Sequence, residues 1–336
     1  MANFSRGIGI DLGTTNTAFV ENGQVILHEP TAVAVIMDEW KMIEVGQAAK
    51  DMTGRVPESI EVFNPIQNGV IAEYEITENF LKYQIRKLVG SMLLFRPNLM
   101  ITVPYGITSV ERRAVHEAGL GAGGREVSLI EAPLAAALGI DLPIAPPSGN
   151  MVMCLGGGTN QVGVLAMNSI ISAEIERGGG NKMDLDIIDY VRRTYGVILS
   201  RFSAEIVKMR IGAAIEGYDE SEMEVQGQDQ VSGLPRSVTL RTSDIVKAVQ
   251  ESLQSIEKLV RRTLEKTPPE LIADIMDRGV ALCGGGSQLR GIERYLTREL
   301  GIAAYQVDNP TTCTAEGAAK ALDMLDELKR ALPTSR

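Results

Sequence analysis

Short apolar runs, each closed by glycine, punctuate this chain. Ile8-Gly-Ile-Asp-Leu12 leads into Gly13, Thr14, Thr15 and Asn16. Met151-Val-Met-Cys-Leu155 leads into Gly156, Gly157, Gly158 and Thr159, and Val280-Ala-Leu-Cys283 into Gly284, Gly285, Gly286 and Ser287. Apolar runs this short, bounded by turn residues, read as buried strands. Laying Leu12 on Leu155 places Gly13 on Gly156 and Asp11 on Cys154, so the first two runs share one pattern. Each is followed by a predicted hairpin. The first turns at Asn22-Gly23 and the second at Asn168-Ser169, both suited to tight hairpin turns.

The rest of the pattern fills in two similar halves. The first half is expected to hold a helix at 77–89 with Phe80, Leu81, Ile85 and Leu88 on its apolar side, and a strand at 99–103. A helix capped by Thr108 with Glu111 follows, then a strand at 126–130 and a helix opened by Pro133; Pro suits the first helical turn, and Thr followed three residues on by Glu is a capping box. The second half is expected to hold a flexible glycine turn at 178–180 and helices at 183–195 and 204–213. One long amphipathic helix is expected at 242–264, broken after it by Pro268-Pro269. A strand at 279–283, a helix at 290–300, a strand at 303–307 and a C-terminal helix at 314–328 complete the half. Alternation of strands and helices predicts an α/β class. The expected first lobe is 1–147 plus the C-terminal segment 310–336, with a small insert near 31–75. The expected second lobe is 148–309, with an insert near 181–241.

Length and composition agree with two lobes. The chain has 336 residues, 44% of them hydrophobic and 23% charged, which is long for one core and typical of a folded, soluble protein. Its formal charge of -10 speaks against general nucleic-acid binding. Cys154, Cys283 and Cys313 show no paired spacing, and His28 and His116 lie in unrelated positions; buried reduced thiols in a cytoplasmic protein are expected, not a metal cluster. No signal-peptide pattern and no apolar run of spanning length is visible. One segment stands apart: Met92, Leu93, Leu94 and Phe95 run together between Gly90 and Arg96-Pro97. They read equally as a greasy loop for a membrane surface and as a cap on the core beneath the preceding helix.

Glycines after a strand bring backbone N–H groups close to a ligand, an arrangement suited to phosphate oxygens. Two related loops half a chain apart predict one phosphorylated ligand gripped between the lobes. The first loop enters a further strand, which excludes a Rossmann fingerprint, and no Gly-Lys-Ser/Thr ending is present, which excludes a P-loop.

These features, with Ile10-Asp-Leu-Gly-Thr14, Val70-Ile-Ala72, Val110-Glu-Arg-Arg113, Gly121-Ala-Gly123, Arg125-Glu-Val127, Tyr190-Val-Arg-Arg193 and Pro268-Pro-Glu-Leu271, closely resemble bacterial MreB. That family is the rod-shape-determining actin homologue, within the superfamily of actin, sugar kinases and heat-shock ATPases. The resemblance spans residues 6–328 and implies an actin-like (ribonuclease H-like) fold with a nucleotide cleft between duplicated domains. It implies ATP or GTP with Mg²⁺ as ligands. Asp11 would reach the metal through waters. Gly13, Thr14, Thr15 and Asn16 would form one phosphate loop, and Gly156, Gly157, Gly158 and Thr159 the other. Gly180 would flank them. Gly284, Gly285, Gly286 and Ser287 would hold the nucleoside, with Glu205 and Lys208 near base and ribose. Asp11 and Thr159 would be the remaining catalytic groups. The resemblance also moves the 92–95 segment toward a membrane-insertion loop. The implied partners are further copies of this chain in a filament, an anionic membrane surface, another MreB paralogue and the cell-wall elongation machinery. The implied location is the inner face of the cytoplasmic membrane.

The chain departs from the family where chemistry is concentrated. The family's Asp-Ile-Gly-Gly-Gly-Thr-Thr-Glu appears here with Cys154 for the Asp, Asn160 for the second Thr and Gln161 for the Glu. The Glu before the proline of the helix start appears as Ala132. The family's Gly-Gly-Asp turn ends in Asn181. A thiol is a poor substitute for a hard oxygen ligand, and Ala132 offers no acceptor for a water proton. Weak or absent hydrolysis is therefore expected. The alternatives are an ordinary dynamic ATPase in which Glu131 or Gln161 substitutes, and a regulator that co-assembles with an active MreB. A sugar or acid kinase and a chaperone-like ATPase fit less well, because neither a second substrate pocket nor a further substrate-binding domain is visible.

Overall fold

The alternating apolar runs fold into two five-stranded sheets of the same topology. The computed structural model describes residues 6–90, 96–328, 331 and 332. In the first half, β1 (Gly7–Leu12), β2 (Asn16–Glu21) and β3 (Gln24–Pro30) form an antiparallel meander. The small unit that follows holds β4 (Val33–Ile36), β5 (Lys41–Val45), α1 (Gln47–Asp51) and β6 (Ile60–Phe63), then the short pair β7 (Ile66–Gln67) and β8 (Val70–Ile71). The chain returns through α2 (Tyr74–Val89), β9 (Asn98–Val103), α3 (Ser109–Gly121), β10 (Glu126–Glu131) and α4 (Ala132–Gly139). Strand β9 lies parallel to β1, and β10 parallel to β9.

The second half repeats the plan. The meander is β11 (Asn150–Leu155), β12 (Thr159–Ala166) and β13 (Ser169–Arg177). Next come α5 (Gly179–Tyr195), β14 (Val197–Ile198), α6 (Arg201–Ile211), β15 (Glu222–Asp229) and β16 (Pro235–Arg241), the three strands forming their own small sheet. Helices α7 (Thr242–Ala248), α8 (Gln250–Glu265) and α9 (Pro269–Arg278) precede β17 (Val280–Cys283), a 3-10 turn (Gly285–Gln288), α10 (Ile292–Leu300), β18 (Ala304–Gln306), α11 (Cys313–Asp323) and α12 (Leu325–Leu328). Strand β17 is parallel to β11, and β18 to β17.

The last helix of each half crosses to the other sheet. Helix α4 packs on β11 and β12, and α11 packs on β1, β2 and β9. The two helices touch backbone to backbone, because a side chain at Gly317 would lie 1.7 Å from the Ala135 carbonyl and one at Gly139 1.8 Å from the Cys313 carbonyl. Ala135, Ala136, Ala137, Ala315, Ala318 and Ala321 keep this crossing thin, and all are buried. Separate apolar cores lie on the outer faces of the two sheets: one around Ile8, Phe19, Phe80 and Leu99, the other around Met153, Ile187, Leu253 and Tyr295. Burying one such large side chain contributes about 1.5–3 kcal/mol.

Four expected elements differ. The helix predicted at 242–264 is two, because α7 packs against α5 and β16 while α8 packs against β12 and β13; one straight apolar stripe cannot face both, and the chain turns at Val249. Helix α9 stands where only a break is expected: Pro268 is its N-cap and Pro269 begins it, where a missing N–H is harmless. Helix α11 ends at Asp323, with Met324 at its C-cap, before the short α12. The glycine turn at 178–180 is no free turn: α5 begins at Gly179.

Candidate functional site

Between the halves lies a cleft of about 550 Å³. Asp11, Gly13, Thr14, Thr15 and Asn16 line one wall. Gly156, Gly157, Gly158, Thr159 and Gly180 line the opposite wall, and Glu205, Lys208, Gly284, Gly285 and Gly286 line the remaining end. Ser287 does not line it. Its hydroxyl turns back to the Gly284 carbonyl at 2.7 Å, and it is buried behind the glycines. The segment 92–95 lies outside the described residues.

The two strand-ending loops are held in the same way. In the first, the Gly13 carbonyl accepts from the Thr31 hydroxyl at 2.8 Å, the Thr14 carbonyl from the Asn64 amide at 2.6 Å and the Thr15 carbonyl from the Thr31 N–H at 2.9 Å. In the second, the carbonyls of Gly156, Gly157 and Gly158 accept from the N–H groups of Gly180, Asn181 and Gly178 at 2.8–2.9 Å. Three successive carbonyls tied from outside leave N–H groups such as those of Gly157 and Gly158 for an anion, while the Gly156 N–H closes its loop onto the Thr159 carbonyl at 2.8 Å. The N-terminus of α5 stands behind the second loop and adds its positive dipole end. A side chain at Gly179 would lie 2.5 Å from the Gly156 carbonyl, and its φ is +49°, so glycine is required there. The loops face each other closely: a side chain at Gly158 would lie 2.2 Å from Thr14 Oγ1.

Glu205 and Lys208 reach the cleft from α6, but they do not pair with each other. Glu205 Oε1 lies 3.0 Å from Lys50 Nζ on the opposite half. Lys208 Nζ donates to the Gly180 carbonyl at 2.8 Å and lies 2.7 Å from Asp184 Oδ1. Lys208 opposes the upward push of burial on the Asp184 carboxyl, which prevails. Lys50 and Asp184 line the cleft and went unnoticed in the sequence, since neither sits in a motif and both meet their partners only through the fold.

The far end of the cleft is chemically sparse. Burial raises the Asp11 carboxyl above its usual range, against the Thr102 hydroxyl that donates to it at 2.6 Å. Across from it, Cys154 and Ala132 both line the cleft and touch, with Cys154 Sγ 3.9 Å from the Ala132 carbonyl oxygen. Cys154 is register partner to Cys283 on β17, their sulfurs 3.3 Å apart. All three cysteines are free and buried within the apolar cluster formed with α4 and α11. The contact with Cys154 and burial push the Cys283 thiol upward, and the contact with Cys283 and burial do the same for Cys313; such thiols stay protonated. Gln161 is clamped: its amide oxygen accepts from the Tyr105 N–H at 2.8 Å, and its nitrogen donates to Thr159 Oγ1 at 3.2 Å. Glu131 does not line the cleft. It accepts from the Gly106 N–H at 3.4 Å, and burial raises its carboxyl.

No group of three or more His, Cys, Asp or Glu residues able to hold a metal exists among the described residues. Of the described carboxylates that line the cleft, Glu205 is paired with Lys50 and Asp184 with Lys208, which leaves Asp11. That donor set suits a Mg²⁺ held through waters and phosphate oxygens and does not suit one held by protein ligands alone.

Comparison with known proteins decides the family. The MreB/Mbl protein family model matches residues 5–330. The chain belongs to the MreB/Mbl family. It is 41% identical over 331 residues to the cell shape-determining protein Mbl of Bacillus cereus (98% of this chain, 99% of that one), and 42% identical over 329 residues to the cell shape-determining protein MreB of Escherichia coli K12 (96% and 95%). Among solved structures, MreB5 of Spiroplasma citri bound to ADP superposes with a TM-score of 0.91 at 30% identity, covering 97% of this chain and 98% of that one. The MamK double helical filament superposes with a TM-score of 0.80 at 18% identity, covering 95% and 99%, which shows the shared fold. The actin-like fold expected from the resemblance is thus found, and the family is one of cell shape-determining proteins.

Proposed function

We propose that this protein binds ATP with Mg²⁺ in the cleft, assembles with copies of itself into membrane-attached filaments that scaffold cell-wall synthesis, and hydrolyses the nucleotide weakly. The carrying observation is the pair of loops whose carbonyls are tied away from the cleft. They present N–H edges to a polyphosphate from both sides, and the ADP-bound relative supports that ligand. Gly284, Gly285 and Gly286 with Glu205 and Lys208 would hold the nucleoside, GTP being accepted or refused at that end. Asp11 would orient the waters of a Mg²⁺, which supplies charge to the phosphates.

Weak hydrolysis follows from what lines the phosphate end. Phosphoryl transfer to water needs an acceptor that orients the water. Cys154 instead brings the apolar cluster to the floor of the cleft, and the buried Ala132 lines it alongside. The rival reading, an ordinary dynamic ATPase, rests on Gln161, whose amide lies against Thr159. A cleft closed on nucleotide suits head-to-tail stacking, and the MreB/Mbl relatives and the filamentous MamK support assembly. The apolar segment Met92, Leu93, Leu94 and Phe95 supports attachment to the inner face of the cytoplasmic membrane, where many weak loops in one filament add up.

Equilibrium binding of a fluorescent ATP analogue with Mg²⁺, beside sedimentation of polymer, tests this reading. The protein is expected to bind and to pellet with nucleotide, and Gly158→Val, which would collide with Thr14, to do neither. Polymer of unchanged yield without nucleotide, or wild-type affinity in the variant, would refute it.

A further inference from the structure

A second concavity, of about 850 Å³, lies away from the cleft between the β4–β5 hairpin and α2. Lys41, Lys82, Arg86 and Lys87 line it with the aromatic rings of Trp40 and Tyr83, against a single carboxylate, Glu39. On a chain of formal charge -10, four cations around one groove are conspicuous. Lys87 is neutralised by Glu29 at 2.6 Å. No carboxylate pairs with Lys41, Lys82 or Arg86 among the described residues. Like charges held together without partners repel one another, and an anion relieves that repulsion.

The aromatic side of the groove is also unusual. Trp40 is the sole tryptophan. It closes the hairpin turn at φ +50°, a region that bulky side chains avoid, and it stacks on Phe63 with centroids 6.3 Å apart. It nevertheless remains 38% exposed, and Tyr83 50%. Half-buried Trp and Tyr beside Lys and Arg is the side-chain chemistry of a membrane–water interface, where rings sit at headgroup level and cations reach phosphates. Arg86 and Lys87 occupy the last turn of α2, which ends at Val89, two residues short of the segment that carries Met92 to Phe95 in the sequence.

We propose that this groove binds the phosphate headgroups of anionic phospholipid. It would make attachment selective for negatively charged membrane and fix which face of the subunit meets the bilayer. The inference rests on the membrane-attachment reading above. An acidic peptide could satisfy the same cations, but the exposed rings and the apolar run that follows α2 in the sequence favour a lipid surface.

Trp40 allows a direct test on the full-length protein assembled with ATP. Vesicles of phosphatidylcholine, alone or mixed with phosphatidylglycerol, are pelleted with protein while Trp40 emission and its quenching by brominated lipid are recorded. The wild type is expected to prefer anionic vesicles, with Trp40 quenched on them. Lys82→Glu with Arg86→Glu should bind anionic vesicles at least about tenfold less, bind neutral vesicles as before and leave Trp40 unquenched. Lys82→Gln with Arg86→Gln should show a smaller loss in the same direction. Leu93→Ser with Phe95→Ser should lose binding to both kinds of vesicle. Wild-type pelleting with Trp40 unquenched, or charge-reversed variants that bind anionic vesicles normally, would overturn the groove assignment and leave membrane attachment standing. Absence of wild-type binding to any vesicle would overturn both. A Trp40 response to oligoglutamate but not to anionic vesicles would reassign the groove to an acidic peptide and refute the lipid.

Discussion

At the scale of single residues, the account turns on Cys154 and Ala132, which touch each other. Restoring one carboxylate would leave the other side of the water site apolar, so the two positions act as a unit. Cys154→Asp with Ala132→Glu is expected to raise phosphate release at least about tenfold, each restored group acting on the barrier by roughly 1.4–4 kcal/mol. Measured without nucleotide, Cys154→Asp alone should lower stability by about 1–3 kcal/mol, because it buries a carboxylate beside the Cys283 thiol. Asp11 gives the opposite signature. Burial raises its carboxyl, so ionising it works against the folded, nucleotide-free state, and that stability is lost as pH rises through the raised value. Asp11→Asn keeps an acceptor for Thr102 and removes the charge. It should therefore raise the nucleotide-free melting temperature at neutral pH and weaken Mg²⁺-dependent nucleotide binding. A variant that melts lower, or binds Mg²⁺-nucleotide as tightly as the wild type, would speak against Asp11 at the metal waters.

Among the elements, the join of β13 to α5 matters most for the site. Gly179→Ala would place a methyl against the Gly156 carbonyl at positive φ, and should cost about 1–2 kcal/mol of stability with a larger loss of nucleotide affinity, since the second loop must shift. Calorimetric unfolding beside analogue titration separates the two. Helix α7 carries a pH signature: the Tyr190 and Tyr195 hydroxyls donate to the Asp244 carboxylate at 3.0 and 2.9 Å. Burial and that bond push Tyr195 up to about 12. The unfolded tyrosine titrates near 10, so this stabilisation is complete below about pH 10 and lost toward the raised value, and Tyr195→Phe should flatten the decline seen by denaturant unfolding over that window. Much of this layout was legible in the chain. Glycine after an apolar run, Asn-Gly hairpins and the Thr108–Glu111 box are local signals, and local physics reads them. The kink at Val249 and the beginning of α5 at Gly179 were not legible, because each answers to packing partners distant in sequence, whereas the helix starting at Pro269 follows a local signal, proline in a first helical turn. The meeting of Cys154, Cys283 and Cys313 under the cleft is of the same kind: only the strand register and the crossing of α11 bring them together.

For the whole molecule, nucleotide exchange depends on how the halves are held. The Lys50–Glu205 pair spans the cleft at 3.0 Å, and Arg177 meets Glu111 across the halves at 3.2 Å. Both pairs are partly exposed, so each contributes about 0–1 kcal/mol. Lys50→Ala should accordingly speed release of a bound fluorescent nucleotide by up to about fivefold, with little change in its association rate. Unchanged release in stopped-flow chase would mean that the Lys50–Glu205 pair does not hold the cleft shut. The central claim, a family member that binds nucleotide and assembles but does not clear it, is tested most directly by one experiment. Stoichiometric ATP and Mg²⁺ are mixed with the protein, and phosphate release is followed through a single turnover in the sample that is then imaged for filaments. The account predicts filaments that retain ATP while the Ala132→Glu, Cys154→Asp variant releases phosphate at least about tenfold faster. Release from the unmodified protein as fast as from that variant would contradict it and pass the catalytic role to Gln161.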